Sequence, residues 1–172
     1  LRFQPPAPVL GIGDDRAIVD LPPGRHTLFC SDLVAENTHF IRGVHPPDSI
    51  GYKAVAVNVS DVGAMGGVPS CFVVSIAAPG DIEVAWMDSF YDGVERAWRE
   101  WDVALVGGDS SSADRIFVDV AMIGHVAPGK AIRRSGAQPG DTVYVTGRLG
   151  GSAAGLRLLR RAAVQDCAMG AV

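Results

Sequence analysis

Hydrophobic positions along this chain follow two rhythms, and the changes between them outline its elements. Gly11-Ile12-Gly13-Asp14-Asp15 reads as a turn, and the apolar stretch after it runs to Leu21 before Pro22-Pro23-Gly24 breaks it. His26 to Ser31 predicts a strand ending at Asp32, and a polar loop follows over Glu36 to His39. Past Pro46-Pro47, Asp48 is placed to cap a helix over Ser49 to Met65, which Gly66-Gly67 stops. Ser70 to Ala77, bounded by Pro69 and Pro79, predicts a buried strand. Asp81 is then expected to cap a second helix, whose Ile82, Trp86, Phe90, Val94 and Trp98 recur every four residues as a face packed on a sheet. Val103 to Val106 reads as a short strand ending in Gly107-Gly108-Asp109, and Ile116 to Val126 as a longer one. The order β-α-β-α-β-β predicts an α/β (α+β) domain.

A second start follows Pro139-Gly140-Asp141, with a strand over Thr142 to Thr146, a turn over Gly147 to Gly151 and a helix over Ser152 to Arg161. One strand and one helix cannot bury a core alone. Either this unit packs onto the first, or the rest of its own domain is missing; the expected domains are residues 1–138, with 139–172 as the start of a truncated second one.

Composition narrows the function. The 172 residues are 48% hydrophobic and 20% charged, with no apolar run near the ~18 residues of a membrane span. Leu1-Arg2-Phe3-Gln4-Pro5-Pro6 offers neither the apolar region nor the cleavage site of a secretory leader, and no initiator Met, so a fragment or trimmed chain is expected. Three scattered cysteines, Cys30, Cys71 and Cys167, form no disulfide framework or zinc knuckle and point to the cytoplasm. A net charge of −4 without a basic run argues against nucleic acid as a partner. Of the 19 acidic residues, 15 are Asp, many beside Gly or Ser at the ends of apolar runs. Short carboxylates in such places suit hard cations, although Asp also caps turns and helices.

Several catalytic devices are absent. No G-x-x-x-x-G-K-S/T loop occurs, and Gly11-Ile12-Gly13 fails the dinucleotide pattern because position 16 is Arg. Ser152 has Ala154 where a nucleophile elbow needs Gly, and no H-E-x-x-H is present. What remains is Asp14, Asp15, Asp32, Asp61 and Asp109. Gathered in one pocket they would repel anions unless cations neutralised them, and Mg²⁺ accepts carboxylates together with phosphate oxygens and water. Adjacent glycines let backbone N–H groups approach phosphates, the combination that phosphoryl transfer needs. Spacing alone leaves the plain turn reading open for each Gly-Asp pair. Asn58 and Asp61 share a helix face in the otherwise apolar Ala54 to Met65, which suggests either a polar task at a buried edge or a face turned to water.

Taken in order, these segments resemble the thiamine-monophosphate kinase family, within the group related to aminoimidazole ribonucleotide synthetase. They are Gly11 to Asp15; Ser31-Asp32 with Glu36, His39 and Phe40; Gly51 to Asp61; Ala64-Met65-Gly66; Val106 to Asp109; Arg134 to Ala137; and Pro139 to Gly147. The resemblance covers roughly residues 9–160. It implies the N-terminal domain of the synthetase-like fold, a mixed sheet with helices on one face that pairs across a two-fold axis into a homodimer. The implied reaction is ATP with thiamine monophosphate, by direct in-line transfer with several Mg²⁺ ions. Carried over, Asp15, Ser31, Asp32, Asp61 and Asp109 would be metal ligands; Trp101, Gly108, Asp109 and Arg134 would meet the nucleotide; and His39 would touch the thiamine substrate. No side chain need act as a strong base, since the nucleophile is already an ionised phosphate oxygen.

Two departures stand out. Cys30 replaces the Ser or Thr usual in the family, and Ser110-Ser111-Ser112 replaces Thr-Thr-Arg. The family's further acidic loop and its substrate-holding aromatic do not occur in these residues, so the chain resembles the front half of such an enzyme. Alternatives are another ATP-using member of the superfamily (aminoimidazole ribonucleotide synthetase, selenophosphate synthetase or the hydrogenase-maturation dehydratase) or a non-catalytic nucleotide-binding or dimerisation module.

Overall fold

The computed structural model describes residues 11–13 and 16–169. Its elements are β1 (His26–Ala35), α1 (Pro47–Ala64), β2 (Val68–Ala78), α2 (Val84–Trp101), β3 (Ala104–Ser112), β4 (Phe117–Val126) and α3 (Gly151–Met169). The four strands form one mixed sheet in the order β1-β4-β2-β3, with β4 antiparallel to both neighbours and β2 parallel to β3. A parallel pair needs a long crossover, and α2 supplies it.

Alternation along the strands sorts side chains between two faces. Val34 of β1, Phe72, Val74 and Ile76 of β2, and Val118, Val120 and Met122 of β4 turn to one face, where they meet α1 and α2. Both helices lie on that face, as expected. On the other, Cys71, Ala104 and Val106 are covered by Ala17 and Val19, whereas Phe29 and Leu33 of β1 stay 71% and 51% exposed.

The helices cross with their backbones in near contact. A Cβ at Gly51 would lie 2.0 Å from the Phe90 carbonyl oxygen, and one at Gly93 would lie 1.8 Å from that of Asp48. Arg96 donates to Asp48 Oδ2 at 2.9 Å beside this crossing, and it holds the Asp48 carboxyl below the usual range.

Several expected boundaries move. Asp48 does not cap α1: Pro46 occupies the cap without a side-chain hydrogen bond, and Asp48 lies in the first turn. Asp81 does not cap α2 either, since that helix begins at Val84 after Glu83. β1 continues past Asp32 to Ala35 because β4 pairs with it along its whole length. β3 runs through Gly107-Gly108-Asp109 to Ser112, because β2 continues the ladder alongside. The glycines punctuate the sequence but not the strand.

The described residues separate into two compact units that divide between Arg133 and Arg134. The second holds a 3-10 turn at Arg134–Gly136 and α3. The strand expected over residues 142–146 does not form, and Val143 and Tyr144 are 90% and 87% exposed. An apolar β-prone run becomes a strand only beside a neighbour that takes up its N–H and C=O groups, and among the described residues it has none.

Candidate active site

The second half of β3 is flanked by a cleft on each side. Gly107, Gly108, Asp109 and Ser110 line one of about 620 Å³ together with Ile12, Val74, Tyr91 and Leu105. Gly107, Gly108 and Asp109 also line a second, of about 390 Å³, with Gly13, Arg16, Ala17, Val73, Ser75 and Val106. Gly108 is required there, because a Cβ would fall 2.1 Å from the Val74 carbonyl oxygen of the paired strand. The carboxylate of Asp109 accepts a hydrogen bond from the Ser110 N–H at 2.9 Å, which fixes one of its oxygens.

A second polar group lies where β1 meets α1. Cys30 and Asp32, two residues apart, share the helix-facing side of the strand, and the Cys30 thiol lies 3.5 Å from Asn58 Oδ1 and 3.7 Å from the Asn58 carbonyl oxygen. Asn58 is fully buried, and its Nδ2 donates to the Ala54 carbonyl at 3.1 Å. Its task is therefore structural, fastening β1 to α1, while Asp61 one turn later is exposed. Burial pushes the Cys30 thiol up, and the carboxylates of Asp61 and then Asp32 push it further. Asp32 and Asp61 thus both bear on the same thiol from different elements. Ser31 faces the opposite side of the sheet, where its hydroxyl donates to Asp119 Oδ1 at 2.7 Å.

His39 is held in its loop by hydrogen bonds. Glu36, only 6% exposed, accepts from the Ile116 N–H at 2.9 Å and faces Arg42 Nε at 3.3 Å. The Ala35 N–H donates to His39 Nδ1 at 3.0 Å, and Lys53 Nζ donates to the His39 carbonyl at 2.8 Å. An accepting Nδ1 places the proton of the neutral ring on Nε2, which is left as a directed donor.

Trp101 is not brought to Gly108 and Asp109. It ends α2, with its ring 5.2 Å from that of Tyr52, at the beginning of β3. Tyr91 is the aromatic on the larger cleft, and the sequence reading passed it over because it lies beside the apolar ladder rather than on it. A signal did exist. Tyr91 precedes the end of α2 by a rise of ~15 Å, and Asp109 follows the start of β3 by ~16 Å, so a helix folding back onto its strand sets them at one level. Arg134 opens the second unit. Asp15 lies outside the described residues.

Among the described residues no three His, Cys, Asp or Glu side chains are gathered closely enough to hold a metal ion. The oxygen donors nonetheless match what Mg²⁺ takes from protein, one or two carboxylates with water and phosphate completing the shell. Asp32 and Asp61, which both bear on the Cys30 thiol, are the carboxylates that would offer such a pair, and the neutral thiol would not add to it. No helix among the described residues is long and apolar enough to cross a membrane.

Comparison with known proteins places the chain among its relatives. Thiamine-monophosphate kinase of Bacillus subtilis (strain 168) is 42% identical over 151 residues, which cover 87% of this chain and 46% of that protein. A solved structure of AaThiL complexed with AMPPCP and TMP is 40% identical with a TM-score of 0.77, covering 87% of this chain and 47% of that one. The thiamine-monophosphate kinase structure from Stenotrophomonas maltophilia K279a is 34% identical with a TM-score of 0.81, covering 90% and 48%. The resemblance seen in the motifs is thus borne out, and the chain spans about half the length of the curated relatives it matches. Residues 13–126 match the family described as AIR synthase related protein, N-terminal domain, and the chain belongs to that family.

Proposed function

We propose that this chain is the nucleotide- and metal-binding half of a thiamine-monophosphate kinase. The observation that carries the reading is the cleft pair around Gly107-Gly108-Asp109, in a chain 40% identical to a protein solved with AMPPCP and TMP. ATP lies along β3 with its phosphates at Gly108 and Asp109, and the family resemblance carries Arg134 over as a further nucleotide residue. A phosphate oxygen of thiamine monophosphate forms the new bond to the γ-phosphorus as the bond to the β-bridging oxygen breaks, and ADP departs with that electron pair. The nucleophile is already ionised, so these residues position and neutralise rather than abstract a proton. Asp32, Asp61 and Asp109, with Asp15 as the resemblance implies, would hold Mg²⁺, which would screen the repulsion between the two phosphate groups. The Nε2 donor of His39 orients the substrate. The exposed Phe29 and Leu33 support pairing of two sheets in a homodimer, and the cysteine usage supports a cytoplasmic setting.

The test is an ADP-release assay on this chain extended to the length of its relatives, with thiamine monophosphate and saturating Mg²⁺. Turnover that requires both phosphorylated substrates is expected. Its absence in a folded full-length protein, or turnover with the substrate of another superfamily member instead, contradicts the proposal.

A further inference from the structure

The kinase reading leaves one charged group of the smaller cleft unused. Arg16 lines that cleft opposite Gly107, Gly108 and Asp109, and among the described residues it enters no ion pair. Its backbone is not free to wander, because Ala17 and Val19, the residues just after it, pack on Cys71, Ala104 and Val106 of the sheet. An exposed guanidinium on an anchored backbone, sharing a cleft with glycine backbone, is chemistry for an oxyanion: the planar fork and the N–H groups can bind one phosphate together. Asp109 is the other charge on the cleft among the described residues. Alone it would repel a phosphate, so a cation on the opposite wall changes what the cleft can accept.

We propose that Arg16 is a specificity-determining contact, binding the outer phosphates of a nucleotide laid along Gly107–Asp109 and so favouring triphosphate over monophosphate. The proposal rests on the nucleotide reading of that cleft. Arg is suited to the role because it stays charged and binds phosphate in bidentate fashion, which Lys does not.

Calorimetric titration of the chain with Mg-ATP, Mg-ADP and AMP tests it, using Arg16→Gln and Arg16→Lys beside the parent. The parent is expected to prefer ATP to AMP, and R16Q to lose about tenfold in ATP affinity, the scale of one exposed charged contact, with AMP affinity unchanged. R16K falls between them. ATP binding as tight in R16Q as in the parent overturns the assignment of Arg16 and leaves the cleft reading standing. Equal losses for ATP and AMP overturn it too, since the residue would then be shaping the cleft rather than reading phosphate. A parent that binds none of the three overturns the cleft reading, and the assignment with it.

Discussion

Asn58 shows how one buried amide organises the polar edge of the site. Its carbonyl oxygens lie within reach of the Cys30 thiol and its Nδ2 bonds to the Ala54 carbonyl, so a fully buried polar side chain has both ends satisfied. Replacing it removes the partner of a half-buried thiol and opens space between β1 and α1. Asn58→Ala is expected to lower stability by ~1–3 kcal/mol, read from the urea midpoint at constant slope. An unchanged midpoint would show that the Cys30 contact contributes nothing. The sequence marked Asn58 and Asp61 as out of place in an apolar helix but could not divide their roles. That division depends on β1 crossing over one of them and not the other, which is tertiary information.

At the scale of elements, α1 and α2 are joined through glycines. Gly51 and Gly93 allow each helix to approach the other's backbone more closely than any side chain permits. Gly93→Ala must push α2 away from the Asp48 carbonyl, carrying Phe90, Val94 and Tyr91 with it. A cost of ~1–3 kcal/mol is expected from overpacking, outweighing the better helix propensity of Ala, and a calorimetric melting scan measures it. A rise in melting temperature would contradict the crossing geometry. The sequence could not show this contact: Gly93 reads as a weak point in a helix until its neighbour is known. Element order and core faces were legible, because apolar periodicity records burial directly. Helix starts at Asp48 and Asp81 were misread because capping residues also serve in ion pairs, as Asp48 does with Arg96. The end of β3 was misread because glycine in a strand can mark a close approach as well as a stop.

For the whole molecule, the fold explains why residues distant in sequence face a common cleft. The crossover from β2 through α2 returns β3 beside its partner, so that Val74, Tyr91 and Gly108 line one cleft while Gly13, Arg16 and Ala17 line the other with Gly108. Ligands in open α/β sheets commonly lie toward the carboxyl ends of parallel strands, and Gly107-Gly108-Asp109 lies in the second half of β3. The motifs marked Gly108 and Asp109, and Tyr91 could be reached by counting back along α2, but Arg16 became visible only when the strand and the entry segment were set side by side. Backbone amide mapping by NMR, with a labelled chain titrated by Mg-AMPPCP, puts the central claim to the test. Saturable shifts centred on Gly107 to Ser110 and Tyr91, with the region of Tyr52 and Trp101 still, are the predicted result. Shifts confined to Tyr52 and Trp101, with Gly107 to Ser110 unmoved, would contradict it.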